Sequence, residues 1–127
     1  MFHNAEELQQ QDQRSQAEQG FREAASWASK ALALKPDHAF AHIYLGLSLK
    51  QLGQRAAALD ALRRAVDCAP GLMDAHMHLG EALAELGRHI EAVAHLRQAE
   101  RLAQSGDTRP AEALARLQQA KRKESPR

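Results

Sequence analysis

The chain repeats itself with a period of 34 residues. When residues 39–72 are laid over residues 73–106 without a gap, twelve positions are identical. Nearly all of them are apolar residues or glycine, the types that pack helices together or end them. A repeat of this length is typical of a solenoid, in which each unit buries its apolar face against its neighbour. The identical pairs are Ala41/Ala75, His42/His76, Leu45/Leu79, Gly46/Gly80, Leu49/Leu83, Leu52/Leu86, Gly53/Gly87, Ala58/Ala92, Leu62/Leu96, Arg63/Arg97, Ala65/Ala99 and Ala69/Ala103.

Each unit of the repeat has the pattern of two helices. In the first half of unit 39–72, Leu45 and Leu49 belong to an apolar stripe with helical spacing. Gly53 follows this stripe and is suited to the left-handed conformation that ends many helices. The second half carries another stripe of the same spacing, which stops at Pro70. The pattern therefore predicts a helix-turn-helix unit.

The composition supports helices and excludes other classes of fold. The chain has 26 alanines and 17 leucines but only five valine, isoleucine and threonine residues together, so the residues that favour strands are scarce. Sheet-based nucleotide-binding folds are therefore excluded. With 17 basic and 16 acidic residues, no overall field favours nucleic acid or a membrane surface as a partner. No apolar leader or membrane span is visible, and we expect a cytoplasmic protein.

The two units share residues at equivalent positions of the repeat, which are called slots. The spacing of these shared slots resembles the tetratricopeptide repeat (TPR). The resemblance implies an all-α fold, namely a right-handed α-solenoid of about three helix-turn-helix repeats plus a C-terminal capping helix. Two departures are visible: histidine and leucine fill slots that are aromatic in the family, and Gln104 replaces the proline that ends a repeat. The matching slots of the first unit hold His42, Leu45, Gly46, Leu49, Ala58, Leu62, Ala65 and Pro70.

The resemblance also predicts the organisation of the chain as a single TPR domain over residues 1–127. The upstream unit is degenerate: a helix over Phe21–Leu34 matches the repeat, whereas a polar helix over Asn4–Gln19 matches it poorly, with a turn expected near Gly20. Terminal repeats are often atypical because one face meets water. The predicted units are a degenerate repeat at 5–38, repeats at 39–72 and 73–106, a capping helix at 107–123 and a flexible tail at 124–127.

The TPR resemblance implies a concave groove lined by the first helix of each repeat. Large apolar residues fall in groove slots outside the packing set, and such a patch rimmed by polar groups marks an interface. The predicted apolar anchors are Phe40, Ile43, Tyr44, Leu47 and Met77, and the predicted polar groove residues are Lys50, His78, Glu81 and Glu85.

Two subtypes of the family are not favoured. Chaperone-binding TPR domains clamp a C-terminal carboxylate with lysine and asparagine, whereas this groove offers Lys50 alone among acidic residues. The asparagine ladder of sugar-transferase arrays is missing as well, because Tyr44 and His78 occupy its slot.

No catalytic residue, cofactor site or metal site is predicted. The sequence has no nucleophile elbow, phosphate loop or metalloprotease signature. His42 and His76 share one repeat slot and are expected at the edge of the core, not in a zinc site. Cys68 is expected to be a small buried residue. The basic residues after Arg116 are expected to form a solvated helix end and tail.

The sequence therefore predicts a non-catalytic module that binds a peptide or protein segment in the concave groove, in a scaffold or adaptor role. Two alternatives stay open at this point. The chain could be the TPR segment of a larger multidomain enzyme of the glycosyltransferase or methyltransferase kind, in which case it would present substrate. It could also be a self-associating scaffold, that is, a homo-oligomer.

Overall fold

The structure is a computed structural model that describes residues 4–124. That part of the chain contains six α-helices and no strand, so the all-α prediction is confirmed. None of these helices is long and apolar enough to cross a lipid bilayer. The helices are α1 Ala5–Leu34, α2 Ala39–Gln51, α3 Arg55–Cys68, α4 Met73–Glu85, α5 His89–Leu102 and α6 Arg109–Glu124.

The two well-matched repeats fold as helical hairpins, α2 with α3 and α4 with α5. Their helices approach closely where a glycine faces a leucine. A Cβ atom on Gly46 would stand 2.7 Å from Leu62 Cγ and 3.2 Å from the carbonyl oxygen of Ala58. Gly80 has the same 2.7 Å relation to Leu96 Cγ. The glycine thus makes room for the leucine, which is completely buried in each hairpin.

The turns inside both hairpins are built alike. Gly53 has φ +82°, which an L side chain rarely adopts. Its N–H donates to Lys50 O (3.0 Å), and Gln54 N–H donates to Leu49 O (2.9 Å). Together these bonds form a Schellman cap that satisfies the last carbonyls of α2. Gly87, with φ +79°, occupies the same position after α4, as the sequence predicts.

The first unit differs from the prediction, because Ala5–Leu34 forms one continuous helix and no turn is formed at Gly20. The slots that hold the close glycine–leucine contact in later hairpins contain Asp12 and Ala28 here. An aspartate carboxylate cannot pack against the facing helix, and alanine is too short to reach it. If residues 5–19 folded back onto the rest of α1, little apolar surface would be buried. The straight helix instead keeps Gly20 in a helix interior, which costs about 1 kcal/mol relative to alanine. This cost is smaller than that of a turn that gains so little burial.

The helices stack into a curved array. Helices α2 and α4 contact each other, as do α4 and α6, whereas α3 and α5 make no contact within the described residues. The first helices of the repeats therefore lie on the inner, concave side. Helix α6 closes the apolar core with Ala113, Leu114 and Leu117, as expected of a cap. The predicted tail at 124–127 lies outside the described residues except for Glu124, the last residue of α6.

The prediction for Cys68 is wrong. The cysteine is exposed at the last residue of α3, and Leu34, one repeat earlier in the same slot, is exposed as well. This slot lies at the end of each second helix, and of its three residues only Leu102 is partly buried.

The glycine–leucine contact can be tested by adding one methyl group. Gly46→Ala should lower the free energy of unfolding by about 1–3 kcal/mol, because the new Cβ overlaps Leu62. Chemical denaturation followed by circular dichroism measures this change. Gly20→Ala is the matched control, since a Cβ there meets nothing within 4 Å and the residue lies inside a helix. That variant should be as stable as the wild type or more so. A stable Gly46→Ala protein would contradict the packing described here.

Candidate protein-binding groove

An exposed row of apolar side chains lies on the concave side of α2. Phe40 and Tyr44 are 41% and 48% exposed, and their ring centroids are 6.4 Å apart. Leu47 continues the row one turn later and is half-buried against the core. The spacing of four and three residues places all three on one face of the helix. Three of the five predicted apolar anchors therefore reach the surface.

The other two predicted anchors lie in the core. Ile43 is 2% exposed and Met77 is 5% exposed, and both belong to the main apolar cluster. The prediction that they form part of an exposed patch is wrong. The sequence pattern accounts for packing within a hairpin and between a second helix and the next hairpin. Successive first helices also contact each other. This additional contact buries apolar positions on the inner side, so these two residues support the groove from below.

The predicted polar residues are brought together and bridge the repeats. Lys50 Nζ of α2 lies 3.3 Å from Glu85 Oε1 of α4. Glu81 lies 3.6 Å from His78 Nδ1 through one oxygen and 3.9 Å from Arg116 of α6 through the other. Such partly exposed pairs contribute only about 0–1 kcal/mol each. A partner could therefore replace them with its own charges at little cost.

The surroundings of His78 favour the neutral form of its imidazole. Burial lowers the pKa of its imidazole, and the carboxylates of Glu81 and Asp74 only partly oppose this effect. The ring can therefore offer one donor and one acceptor to a partner.

Sequence reasoning missed Trp27 of α1, which is 55% exposed and meets Tyr44 edge-on at 6.2 Å. Its repeat slot holds Ala61 and His95 in the later units. Ala61 is buried, and His95 contacts His76 of the first helix in its own hairpin. Since α1 has no such partner helix, the indole is left open. The available signal was a tryptophan in a slot that otherwise holds smaller residues. Trp27, Phe40 and Tyr44 are called the aromatic patch below.

A cleft of about 260 Å³ opens between α4, α5 and α6. Its lining includes Ala84, Leu96 and Leu117, with Glu81 and Arg116 among its polar residues. Pockets for small ligands usually measure about 300–1,000 Å³, so this cleft suits a single side chain of a partner better than a cofactor.

The histidines of the repeat slot have a structural role. His42 Nε2 donates to Pro36 O at 2.9 Å, and His76 Nε2 donates to Pro70 O at 2.8 Å. Each bond ties the first helix of a repeat to the turn that precedes it. Both residues are buried at the edge of the core, as predicted. Residues 4–124 contain no group of three or more ligand-type side chains that could hold a metal ion.

Comparison with known proteins agrees with this geometry. A family model described as "Anaphase-promoting complex, cyclosome, subunit 3", which is built of TPR-type repeats, matches residues 17–99. The chain belongs to this TPR family. The match runs from within α1 through most of α5, so it includes the first hairpin completely and nearly all of the second. No curated protein sequence matches the chain.

Solved structures share the TPR fold. The crystal structure of MamA has a TM-score of 0.70 at 24% identity, over 80% of this chain and 58% of that one. The chain thus spans little more than half the length of MamA. The first TPR of Spaghetti (RPAP3), bound to the HSP90 peptide SRMEEVD, has a TM-score of 0.74 at 17% identity, over 91% of this chain and 90% of that one.

A third structure of the same fold is the Yersinia enterocolitica type III secretion chaperone SycD in complex with a peptide of the translocator YopD. Its TM-score is 0.70 at 18% identity, over 93% of this chain and 97% of that one. At these identities the likeness establishes the fold, and the TPR solenoid predicted from the repeat is confirmed.

The histidine pair of the second TPR hairpin predicts a loss of stability in mild acid. His76 Nδ1 accepts from His95 Nδ1 at 3.1 Å, because His76 Nε2–H is donated to Pro70 O. Burial lowers the pKa of His95 below 6.5, and neighbouring His76 and Arg63 add to the effect. The folded state thus holds this proton less tightly than the unfolded chain. The resulting stability is present above the unfolded pKa and is lost as the pH falls.

We expect the melting temperature of the wild type to fall as the pH is lowered from about 7 to 5.5, where histidines titrate. His95→Ala, which copies Ala61 of the preceding hairpin, should lose less over the same interval. Differential scanning calorimetry at several pH values measures both slopes. Equal slopes would show that His95 does not carry the effect.

Proposed function

We propose that the chain is a non-catalytic, cytoplasmic adaptor that binds a segment of another protein on its concave face. The observation that carries the proposal is the aromatic patch. Its side chains are exposed, and they lie near ion pairs that a partner can replace at little cost in free energy. Aromatic side chains dominate the binding energy of protein interfaces, and a polar rim supplies orientation. The concave face combines both features.

The residues have distinct roles in this proposal. Phe40, Tyr44 and Leu47 anchor apolar side chains of the partner. Lys50 and Glu85 exchange their mutual ion pair for charges on the partner, while Glu81 and His78 orient polar groups further along the groove. The partner is then an extended or helical segment with one or two large apolar side chains followed by charges of both signs.

Two of the similar structures support binding of this kind. RPAP3 holds a peptide of HSP90, and SycD holds a peptide of YopD. In this chain Lys50 is already paired with Glu85, and no further lysine lies in the predicted groove slots. We therefore propose that the groove takes an internal segment of its partner and does not depend on a free C-terminal carboxylate.

A displayed peptide library selected on the wild-type chain tests the proposal. Phe40→Glu should weaken the selected peptides at least tenfold, since it places a charge where an apolar side chain docks. Fluorescence anisotropy gives the affinities, and circular dichroism verifies the helix content. Ile90→Glu is the matched control, because Ile90 is 88% exposed on α5, away from the groove. If both variants bind like the wild type, the groove is not the binding site.

The ion pair between the repeats allows a second test. Lys50→Glu alone should weaken the selected peptides, both by repelling Glu85 and by reversing the charge that meets the partner. The double variant Lys50→Glu, Glu85→Lys restores the pair between α2 and α4. If the two residues contact the partner, the double variant still binds weakly. Full recovery of affinity would mean that the pair acts only by holding the helices together.

A further inference from the structure

One face of α1 is less covered than its equivalents in the later hairpins. Ala58 and Ala65 are fully buried in α3, which packs against both α2 and α4. The same slots in α1 hold Ala24 and Ala31, which are only half-buried, and Trp27 between them is largely exposed. The face carried by these three residues therefore has the shape of a site for one more helix, packed antiparallel to residues 21–34.

The segment that the repeat register assigns to that site lies elsewhere. Residues 5–17 precede α2 by one period of 34 residues, yet they continue α1 in a straight line. Every residue from 4 to 20 is exposed. The chain thus holds both an open helix site and a helix of the right length that buries nothing, and the continuous α1 keeps them apart.

We propose that two copies of the chain associate through antiparallel α1 helices. Residues 5–19 of each copy then fill the open site beside residues 21–34 of the other, and a two-fold axis passes near Gly20, the midpoint of α1. The contact is reciprocal, as closed two-fold symmetry requires. Asp12 then lies opposite Ala28 of the other copy, the same weak contact that folding back would make, so the association depends on Ala24, Trp27 and Ala31 and on the charges of the two segments. The dimer keeps α1 unbroken, whereas folding back within one chain would require a turn at Gly20.

The stripe that contains Trp27 continues along the whole of α1. Residues on this face recur at intervals of three and four, the spacing of helices that pack side by side over a long distance. Small residues surround the proposed axis, and Trp27 of one copy lies opposite Gln13 of the other. The stripe consists of Glu6, Gln9, Gln13, Ala17, Gly20, Ala24, Trp27 and Ala31.

Charge specifies the antiparallel direction, and the continuity of α1 leaves the complementary segment to a second copy. Residues 5–19 carry four acidic side chains and one basic side chain, a net charge of −3, whereas residues 21–35 carry three basic and one acidic, a net charge of +2. An antiparallel pair brings opposite net charges together at both ends. A parallel pair would bring like charges together and is disfavoured. The acidic residues are Glu6, Glu7, Asp12 and Glu18, and the basic residues of the second half are Arg22, Lys30 and Lys35.

Sedimentation equilibrium of the full chain tests the association. The wild type should show a monomer–dimer equilibrium that weakens with added salt. Trp27→Ser should raise the dissociation constant at least tenfold without loss of helix, because the indole is exposed in the monomer. Ile90→Ser removes another exposed apolar side chain and should leave the equilibrium unchanged. If the chain stays monomeric at every concentration, the proposal is wrong, whether the open helix site is empty or binds a different protein.

Cross-linking tests the direction of the helices. In a Cys68→Ser background, Gly20→Cys should be joined between copies by a short bis-maleimide, because both thiols lie near the axis. Gln13→Cys should not react, since its two thiols would stand about 20 Å apart at a rise of 1.5 Å per residue. Efficient cross-linking at both positions would indicate parallel helices and contradict the proposal. Because Trp27 contacts Tyr44, peptide binding at Phe40 is measured on the dilute monomer, where a failure to bind peptide is distinct from a failure to dimerise.

Discussion

The contact between a helical glycine and a leucine of the next helix determines the architecture. At Gly46 and Gly80 the missing side chain lets Leu62 and Leu96 enter the interface between the two helices of a hairpin. Because both hairpins use the same contact, they are alike, and they stack with their first helices on one side. The concave face and the exposed row on α2 follow from that stacking.

The first unit shows what happens when this contact is missing. Asp12 and Ala28 stand in the glycine and leucine slots, and α1 runs straight through Gly20. The site of one helix is left open, and Trp27 is exposed at its edge beside Tyr44. The open site is thus the physical origin of the exposure of Trp27. The proposed groove lies on α2 and α4 and the proposed self-association uses α1, and the two surfaces meet where Trp27 contacts Tyr44.

Periodicity predicted the features that depend on local pattern. The two hairpins, the glycine turns at Gly53 and Gly87 and the capping helix follow from residues close in sequence. The burial of Ile43 and Met77 does not, because it depends on contacts between successive first helices. The exposure of Trp27 does not either, because it depends on the missing first helix of its own unit. Periodicity cannot say which repeat will lack a helix either, although Asp12 in a packing slot was the relevant signal. The polar groove residues were placed together because they lie on the first helices of adjacent repeats, which contact each other.

Trp27 is the one tryptophan of the chain, so its fluorescence reports directly on the open helix site. The decisive measurement is the emission spectrum of the dilute, monomeric chain together with acrylamide quenching. With the site open, we expect emission typical of a water-exposed indole that acrylamide quenches readily. A blue-shifted emission resistant to quenching, in the same monomer, would mean that residues 5–19 fold back over the site and that α1 is not one continuous helix.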